Sequence, residues 1–300
     1  FAYGRGLTPP AFMNERPWEF VRGLPDQCRD ALNLPLPSGE RVGVRGGVSG
    51  ICFCGVGGSA AGSDLFKSAF SDRVTVPILV NRDYSLPACV NRDWLVVAVS
   101  YSGNTEETLS AYAQARRRGC RMVAITSGGA LAARAKRDRV PVLRLPAGYP
   151  PRATVGYLFF TPLAYFRHLG LVRVSDAEIH EAVARVGAGL APARLVRVRN
   201  LARLLSGRIP MLYAPEGLLP VAVRWKNQME ENAKVWCSAL AIPEANHNDI
   251  ESWGRGPAWA RSQVVILRDP RGESPALRRR LDVSTRMLRA ASRGRLTTLC

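Results

Sequence analysis

The stretch Trp94-Leu-Val-Val-Ala-Val-Ser-Tyr-Ser-Gly-Asn-Thr-Glu-Glu-Thr-Leu109 constrains this chain more than any other. Leu95 to Val99 is an unbroken apolar, β-branched run, the signature of a strand buried on both faces in a parallel sheet. It breaks into Ser100, Tyr101, Ser102, Gly103, Asn104 and Thr105. Glu106, Glu107, Leu109, Tyr112 and Ala113 then resume at helical spacing, with acids in the first turn where the helix dipole favours them. Ser100, Ser102 and Thr105 therefore crowd a tight strand-to-helix turn at the carboxyl edge of a sheet. One hydroxyl suffices to cap a helix. Three, beside the free N–H groups of a helix N-terminus, make a site for a phosphate.

The flanking sequence repeats the alternation. Ile51 to Cys54 reads as a strand, followed by a glycine-rich turn, Gly55-Val-Gly-Gly-Ser-Ala-Ala-Gly-Ser-Asp64, and a helix from about Leu65 to Phe70. Gly57 and Gly58 allow close backbone approach, as Gly103 does in the other turn. The spacing does not fit G-x-G-x-x-G, and no P-loop lysine follows. Beside the Ser100–Thr105 turn, Ser59 becomes a second wall of one anion pocket. Strands are expected at 76–80, 122–125 and 140–145, with helices between them. Residues 155–169 read as a helix, with Arg152 just before it, and 172–205 as two helices broken near Gly187 to Pro192. A second set follows: strands at 209–213, 238–242, 263–267 and 296–299, and helices at 218–234 and 276–291. The fold class is therefore α/β, two doubly wound parallel-sheet domains. The expected partition is an irregular arm over residues 1–23, a first domain over 24–170 and a second over 171–300.

A net charge of +18 invites a nucleic-acid reading. Lys occurs only at 67, 136, 226 and 234, so nearly all of the 42 basic residues are Arg, scattered through every segment. That pattern fits GC-rich coding or heat adaptation as well as it fits a binding stripe, and the longest run, Arg278-Arg-Arg280, is too short for an arm. No nucleic-acid partner is expected. No apolar run approaches the ~18–20 residues of a membrane span, so no membrane partner is expected either. Cys28, Cys52, Cys54, Cys89, Cys120, Cys237 and Cys300 show no paired metal spacing. Cys52 and Cys54, two apart in a strand, are expected as buried thiols; a reduced, cytoplasmic setting is the expectation, with intracellular disulfides the alternative for a hyperthermophile.

Two polar blocks stand out in the second half. Lys226-Asn-Gln-Met-Glu-Glu-Asn-Ala-Lys234 sets Glu230 and Glu231 near a helix C-terminus, whose partial negative charge opposes ionised carboxylates and can poise a base. Glu244-Ala-Asn-His-Asn-Asp249 surrounds His247 with side chains able to orient an imidazole. His168 and His180 fall within helical patterns and read as structural or solvated.

Together and in this order, Gly57-Gly-Ser59, Ser100-Tyr-Ser-Gly-Asn-Thr105, Thr126-Ser-Gly-Gly129, Pro150-Pro-Arg152, Glu231-Asn-Ala-Lys234 and Glu244 to Asp249 resemble the archaeal bifunctional phosphoglucose/phosphomannose isomerases of the sugar isomerase (SIS) domain superfamily. The likeness spans roughly Leu24 to Leu299. The serine turn marks only the superfamily; the glutamate and histidine blocks are the specific part. The resemblance implies two flavodoxin-like SIS domains and a sugar 6-phosphate substrate. Glucose 6-phosphate and mannose 6-phosphate would be interconverted with fructose 6-phosphate through a cis-enediolate, with no cofactor and no metal. It further implies that Ser59, Ser100, Ser102 and Thr105 hold the phosphate and that His247 assists ring opening. Glu231 would move the proton between C2 and C1, and Arg152 would stabilise the enediolate. A homodimer is implied, the histidine reaching the active site of the partner subunit. Family members continue past the last strand into a helical segment carrying a threonine and a lysine. This sequence stops at Cys300, so its second domain is expected to lack that segment. Other SIS-type aldose–ketose isomerases and a non-catalytic sugar-phosphate sensor are the alternatives; sensing needs only the phosphate turn, and the presence of Glu231, His247 and Arg152 argues against it.

Overall fold

The computed structural model describes residues 17–37 and 47–300. Most of the expected arm, residues 1–16, lies outside the described residues, as do 38–46 of the stretch before the first strand. In chain order the helices are α1 (Pro17–Arg22), α2 (Leu24–Leu32), α3 (Gly58–Ala69), α4 (Glu106–Arg117), α5 (Gly129–Arg137), α6 (Val155–His168), α7 (Asp176–Ala188), α8 (Pro192–Leu205), α9 (Leu219–Gln228), α10 (Gly256–Ala260) and α11 (Pro275–Ala291). The strands are β1 (Gly50–Cys54), β2 (Ile78–Asn81), β3 (Trp94–Val99), β4 (Arg121–Thr126), β5 (Val142–Arg144), β6 (Ile209–Pro215), β7 (Ser238–Ile242), β8 (Ser262–Leu267) and β9 (Leu296–Leu299). The described residues form two compact units, those up to Ser63 together with Thr75–Gly187, and Asp64–Val74 together with Ala188–Cys300.

The sheet of the first unit has the order β2-β1-β3-β4-β5, all parallel. β1 and β3 are buried along their whole length, as the continuous apolar runs require. Cys52, Cys54, Val96, Ala98, Tyr112, Met122 and Leu131 pack in one cluster on one face. Cys52 and Cys54 share that face with their sulfurs 3.8 Å apart, and all seven cysteines are free thiols. The second unit repeats the plan in four strands, β7-β6-β8-β9, again all parallel. In each sheet the order reverses once, between β1 and β3 and between β6 and β8. Outside the carboxyl ends of such a strand pair lies the crevice where doubly wound sheets bind ligands.

Three local expectations change. The end of the presumed irregular arm, Pro17 to Arg22, is helical. The glycine-rich segment after β1 is not an extended loop, because α3 begins at Gly58 and not near Leu65. Its glycines serve packing: a Cβ on Gly58 would lie 2.8 Å from the Pro151 carbonyl oxygen, and one on Gly62 2.5 Å from that of Leu158. Pro162 inside α6 removes the N–H that the Leu158 carbonyl would otherwise accept, and it is this carbonyl that α3 meets. Of Gly55, Gly57 and Gly58, only Gly57 takes a positive φ. Finally, the helix expected over 218–234 is three pieces: a 3-10 turn at Glu216–Leu218, α9, and a π-turn at Met229–Ala233.

Candidate active site

The Ser100–Thr105 turn leaves the carboxyl end of β3 and enters α4, at the strand reversal of the first sheet. Ser100 is fully buried. Its Oγ accepts the Gly103 N–H at 3.0 Å and lies 2.8 Å from Thr105 Oγ1. Thr105 stands at the N-cap of α4, yet its side chain makes no cap hydrogen bond. The first N–H groups of α4 therefore receive no cap from Thr105, and the positive end of the helix dipole lies at this turn. A hydroxyl has one proton to donate. Ser100 is enclosed and Thr105 half-buried, so of the two hydroxyls Thr105 is the nearer to solvent. Ser102 is exposed, its Oγ accepting the Asn104 N–H at 3.3 Å.

Tyr101, which sequence reasoning passed over, ties the neighbouring loops to this turn. Its N–H donates to Ser59 Oγ at 3.2 Å, and its carbonyl accepts from the Ser127 N–H and hydroxyl at 3.0 and 2.6 Å. Its phenol donates to the Pro146 carbonyl at 2.8 Å and accepts the Tyr149 N–H at 3.0 Å. One residue thus couples the segments after β1, β3, β4 and β5. Burial pushes its phenol pKa up, keeping it a neutral donor. The only hint in the sequence is a large aromatic set among Ser, Gly and Asn. Gly103, at φ +74°, brings the Thr126–Gly129 turn alongside: its carbonyl accepts the Leu131 N–H at 2.8 Å, and Asn104 Oδ1 accepts that of Ala130 at 2.9 Å. Arg152 sits half-buried on a 3-10 turn, Pro151–Ala153, packed against Gly58 and so beside the segment bearing Ser59. Ser59, Ser100, Ser102, Thr105, Gly57, Gly58, Gly103 and Arg152 all belong to the first unit.

The reversal point of the second sheet is chemically different. Where Ser100 follows β3, Arg268 follows β8. Its guanidinium is held by Glu273, with Nε to Oε1 at 2.9 Å, and by Asp282. Glu273 is buried, and the paired carboxylates hold the Arg268 pKa above its usual value. That position is self-neutralised, and the serine turn has no counterpart there.

Glu231 and His247 lie in the second unit. Glu231 is exposed on the π-turn after α9. Glu230 is bonded to Lys226, Nζ to Oε2, at 2.9 Å. Arg224 is the neighbour missed from sequence: burial holds its pKa below the usual guanidinium value, and the Glu231 carboxylate acts in the opposite sense. A separation of seven residues, two helical turns, was the available signal. His247 is exposed at the end of a 3-10 turn, Glu244–Asn246. The polar residues around it do not orient its ring, contrary to the sequence-based expectation. Asn246 Nδ2 donates to Ser284 Oγ at 2.9 Å, and Asn248 Nδ2 to Glu244 Oε1 at 3.2 Å. Asp249 Oδ2 accepts from the Tyr213 phenol and, at 2.8 Å, from Trp253 Nε1. These bonds fasten the loop to α11 and β6 and leave the imidazole in solvent. His168 and His180 are exposed on α6 and α7. Among the described residues, no group of three or more His, Cys, Asp or Glu could hold a metal ion, and no helix is long and apolar enough to cross a membrane.

Comparison with known proteins separates the two halves. The SIS domain model matches residues 50–140, and the model of the bacterial phospho-glucose isomerase C-terminal SIS domain matches 197–298. A bifunctional phosphoglucose/phosphomannose isomerase of Caldicellulosiruptor bescii is 38% identical over 244 residues, covering 78% of this chain and 70% of that protein. The chain belongs to the bifunctional phosphoglucose/phosphomannose isomerase family. A D-glucosamine-6-phosphate 4-epimerase of Sulfolobus acidocaldarius is also similar, 34% identical over 82% of this chain and 76% of that protein. Among solved structures, tagatose-6-phosphate ketose/aldose isomerase from Escherichia coli superposes with a TM-score of 0.69 at 18% identity, over 94% of this chain and 80% of that one. That likeness bears on the fold alone. The general SIS match contains Ser59 and the Ser100–Thr105 turn, whereas the isomerase-specific match contains Arg224, Glu231, Lys234 and His247.

Proposed function

We propose that this member of the family is a cytoplasmic, homodimeric aldose–ketose isomerase that interconverts glucose 6-phosphate and mannose 6-phosphate with fructose 6-phosphate. The observation that carries the phosphate assignment is the N-terminus of α4, left uncapped by Thr105 at the strand reversal of the first sheet. In this reading Thr105, Ser102 and the α4 amides bind the phosphate directly, while Ser59 and Ser100 hold the turn in shape. Glu231 moves the proton between C2 and C1, a step that needs a positioned carboxylate. Arg152 stabilises the charge developing on the enediolate oxygen, and His247 assists ring opening. Sugar-phosphate relatives support the substrate class. The exposed, unoriented imidazole of His247 supports a role completed on the partner subunit.

Binding is tested with two serine variants. Ser102→Ala is expected to raise KM for fructose 6-phosphate roughly tenfold or more, with a smaller effect on kcat, since a hydrogen bond to a charged group is worth about 1.5–3 kcal/mol and the phosphate is unchanged by the reaction. Ser59→Ala should raise KM less and lower the melting temperature as well, because it strips the Tyr101 N–H of its acceptor. An unchanged KM in both variants removes the phosphate assignment.

Assembly is tested by mixing inactive Glu231→Gln and His247→Ala chains. If His247 serves the partner's site, one site of each mixed dimer collects both lesions and the other collects neither. Random mixing then restores about a quarter of wild-type activity, because about half of the dimers are mixed and each has one intact site. If both residues serve the same subunit's site, mixtures with demonstrated heterodimers stay inactive.

The Sulfolobus relative favours a second reading, epimerisation of an amino-sugar 6-phosphate at C4. Product analysis by NMR with fructose 6-phosphate and with glucosamine 6-phosphate separates the two. Turnover of only the latter displaces the isomerase assignment.

A further inference from the structure

The π-turn that bears Glu231 is closed by Lys234. The backbone N–H of Lys234 reaches the Met229 carbonyl, five residues back, and the Val235 N–H shares that acceptor at 3.4 Å. In a continued α-helix the Val235 N–H would serve the Glu231 carbonyl. Here that carbonyl takes the Lys234 ammonium instead, Nζ to O, at 2.7 Å. Lys234 itself lies in the left-handed region, at φ 56° and ψ 32°, where a Cβ is crowded and glycine is the favoured residue. Among the described residues, Arg139 and Arg293 also end helices at positive φ, so the backbone geometry alone does not set Lys234 apart. Of these three, Lys234 is the one that returns its side chain to the turn it ends.

Glycine would satisfy this cap better, yet it would lose the bond to the Glu231 carbonyl. π-turns are frequent at functional sites, and the wider turn shifts the direction of the side chains it carries relative to an α-helix. From this geometry we infer that Lys234 is a positioning residue: its ammonium clamps the π-turn and thereby sets the direction of the Glu231 carboxylate. The inference rests on Glu231 being the base proposed above. It assigns Lys234 a role in proton transfer without contact with the sugar.

The test compares Lys234→Gly, Lys234→Met and Lys234→Arg in the full chain, with Glu231→Gln alongside. Steady-state kinetics with fructose 6-phosphate and melting temperatures are measured for each. Lys234→Gly is expected to melt at or above the wild-type temperature, because the left-handed backbone is relaxed. Its kcat should nevertheless fall about tenfold or more, the scale on which small misplacements act, while KM stays within about twofold. Lys234→Met should lose kcat similarly, and Lys234→Arg should regain most of it. Wild-type kcat in both the Gly and Met variants, with Glu231→Gln inactive, overturns the positioning role while leaving the base assignment intact. Parallel loss of melting temperature and kcat in both also overturns it, since that is what a purely structural cap would give. Wild-type activity in Glu231→Gln overturns the base assignment and this inference together.

Discussion

Glu231→Gln is expected to lower kcat by ~100-fold or more, the usual worth of a general base, with KM little changed. The amide keeps the size of the carboxylate and removes its capacity to take a proton, so a folding defect is not expected from an exposed position. Glu230→Gln serves as the internal control. Neighbouring side chains on a helical turn point in different directions, roughly 100° apart in an α-helix, and Glu230 is occupied with Lys226 four residues earlier. That half-exposed pair is worth about 0.3–0.5 kcal/mol as an i,i+4 contact, so losing it should barely move the melting temperature. A steady-state assay of both variants decides the matter. If Glu230→Gln is the inactive one, the base belongs one residue earlier and Glu231 is a bystander.

Gly103→Ala should be the most damaging single-methyl change in the first unit. A Cβ there would lie 1.8 Å from the Gly128 carbonyl oxygen and 2.9 Å from Thr126 Oγ1, and φ is +74°. The clash is with backbone, which no rotamer change relieves. The left-handed conformation costs roughly 1–2 kcal/mol for an alanine, and overpacking adds about 1–3 kcal/mol. The melting temperature should fall by roughly 5–20 °C, at about 2–4 °C per kcal/mol for a domain of this size. The serine turn and the Thr126–Gly129 turn are then forced apart, so KM for fructose 6-phosphate should rise with it. Calorimetry and kinetics on the purified variant test both effects. A melting temperature within about 2 °C of wild type would mean that the two turns do not approach as closely as the structure has them.

Much of this could be read along the chain, because parallel α/β folds advertise themselves locally. Val96, Val97 and Val99 cannot sit in a half-exposed strand without cost, so β3 had to be interior. Glycine, serine and threonine at its end had to be a turn into a helix whose first residues are acidic. The same logic found β1, β4, β6, β8 and the helices between them. It also placed Ser100, Ser102 and Thr105 at the carboxyl edge of a sheet, because that edge is where strands hand over to helices. The polar blocks around Glu231 and His247 stood out by composition, while family motifs chose Glu231 over Glu230 and raised Arg152 from a surface residue to a candidate.

What local pattern could not decide is whatever depends on residues far apart in the chain meeting in space. The strand order, with its reversal between β1 and β3, follows from which strands pair, and pairing is a contest among all the apolar runs at once. The start of α3 was misread because glycine signals flexibility locally, whereas Gly58 and Gly62 are small so that Pro151 and Leu158 can approach. Tyr101 looked incidental beside the serines until its N–H, carbonyl and phenol were seen to bind three other loops. Asn246 and Asp249 are equally able to orient a histidine or to fasten a loop, and only the positions of Ser284, Tyr213 and Trp253 select the second. The π-turn at Glu231 escaped for the same reason: its sequence is ordinary helix, and Lys234 alters its hydrogen bonding only through a side chain folded back upon it. Composition and spacing carry the preferences of each segment, but the choice among equally satisfied preferences belongs to the packed structure, where each donor, acceptor and methyl group competes for space with partners distant in sequence.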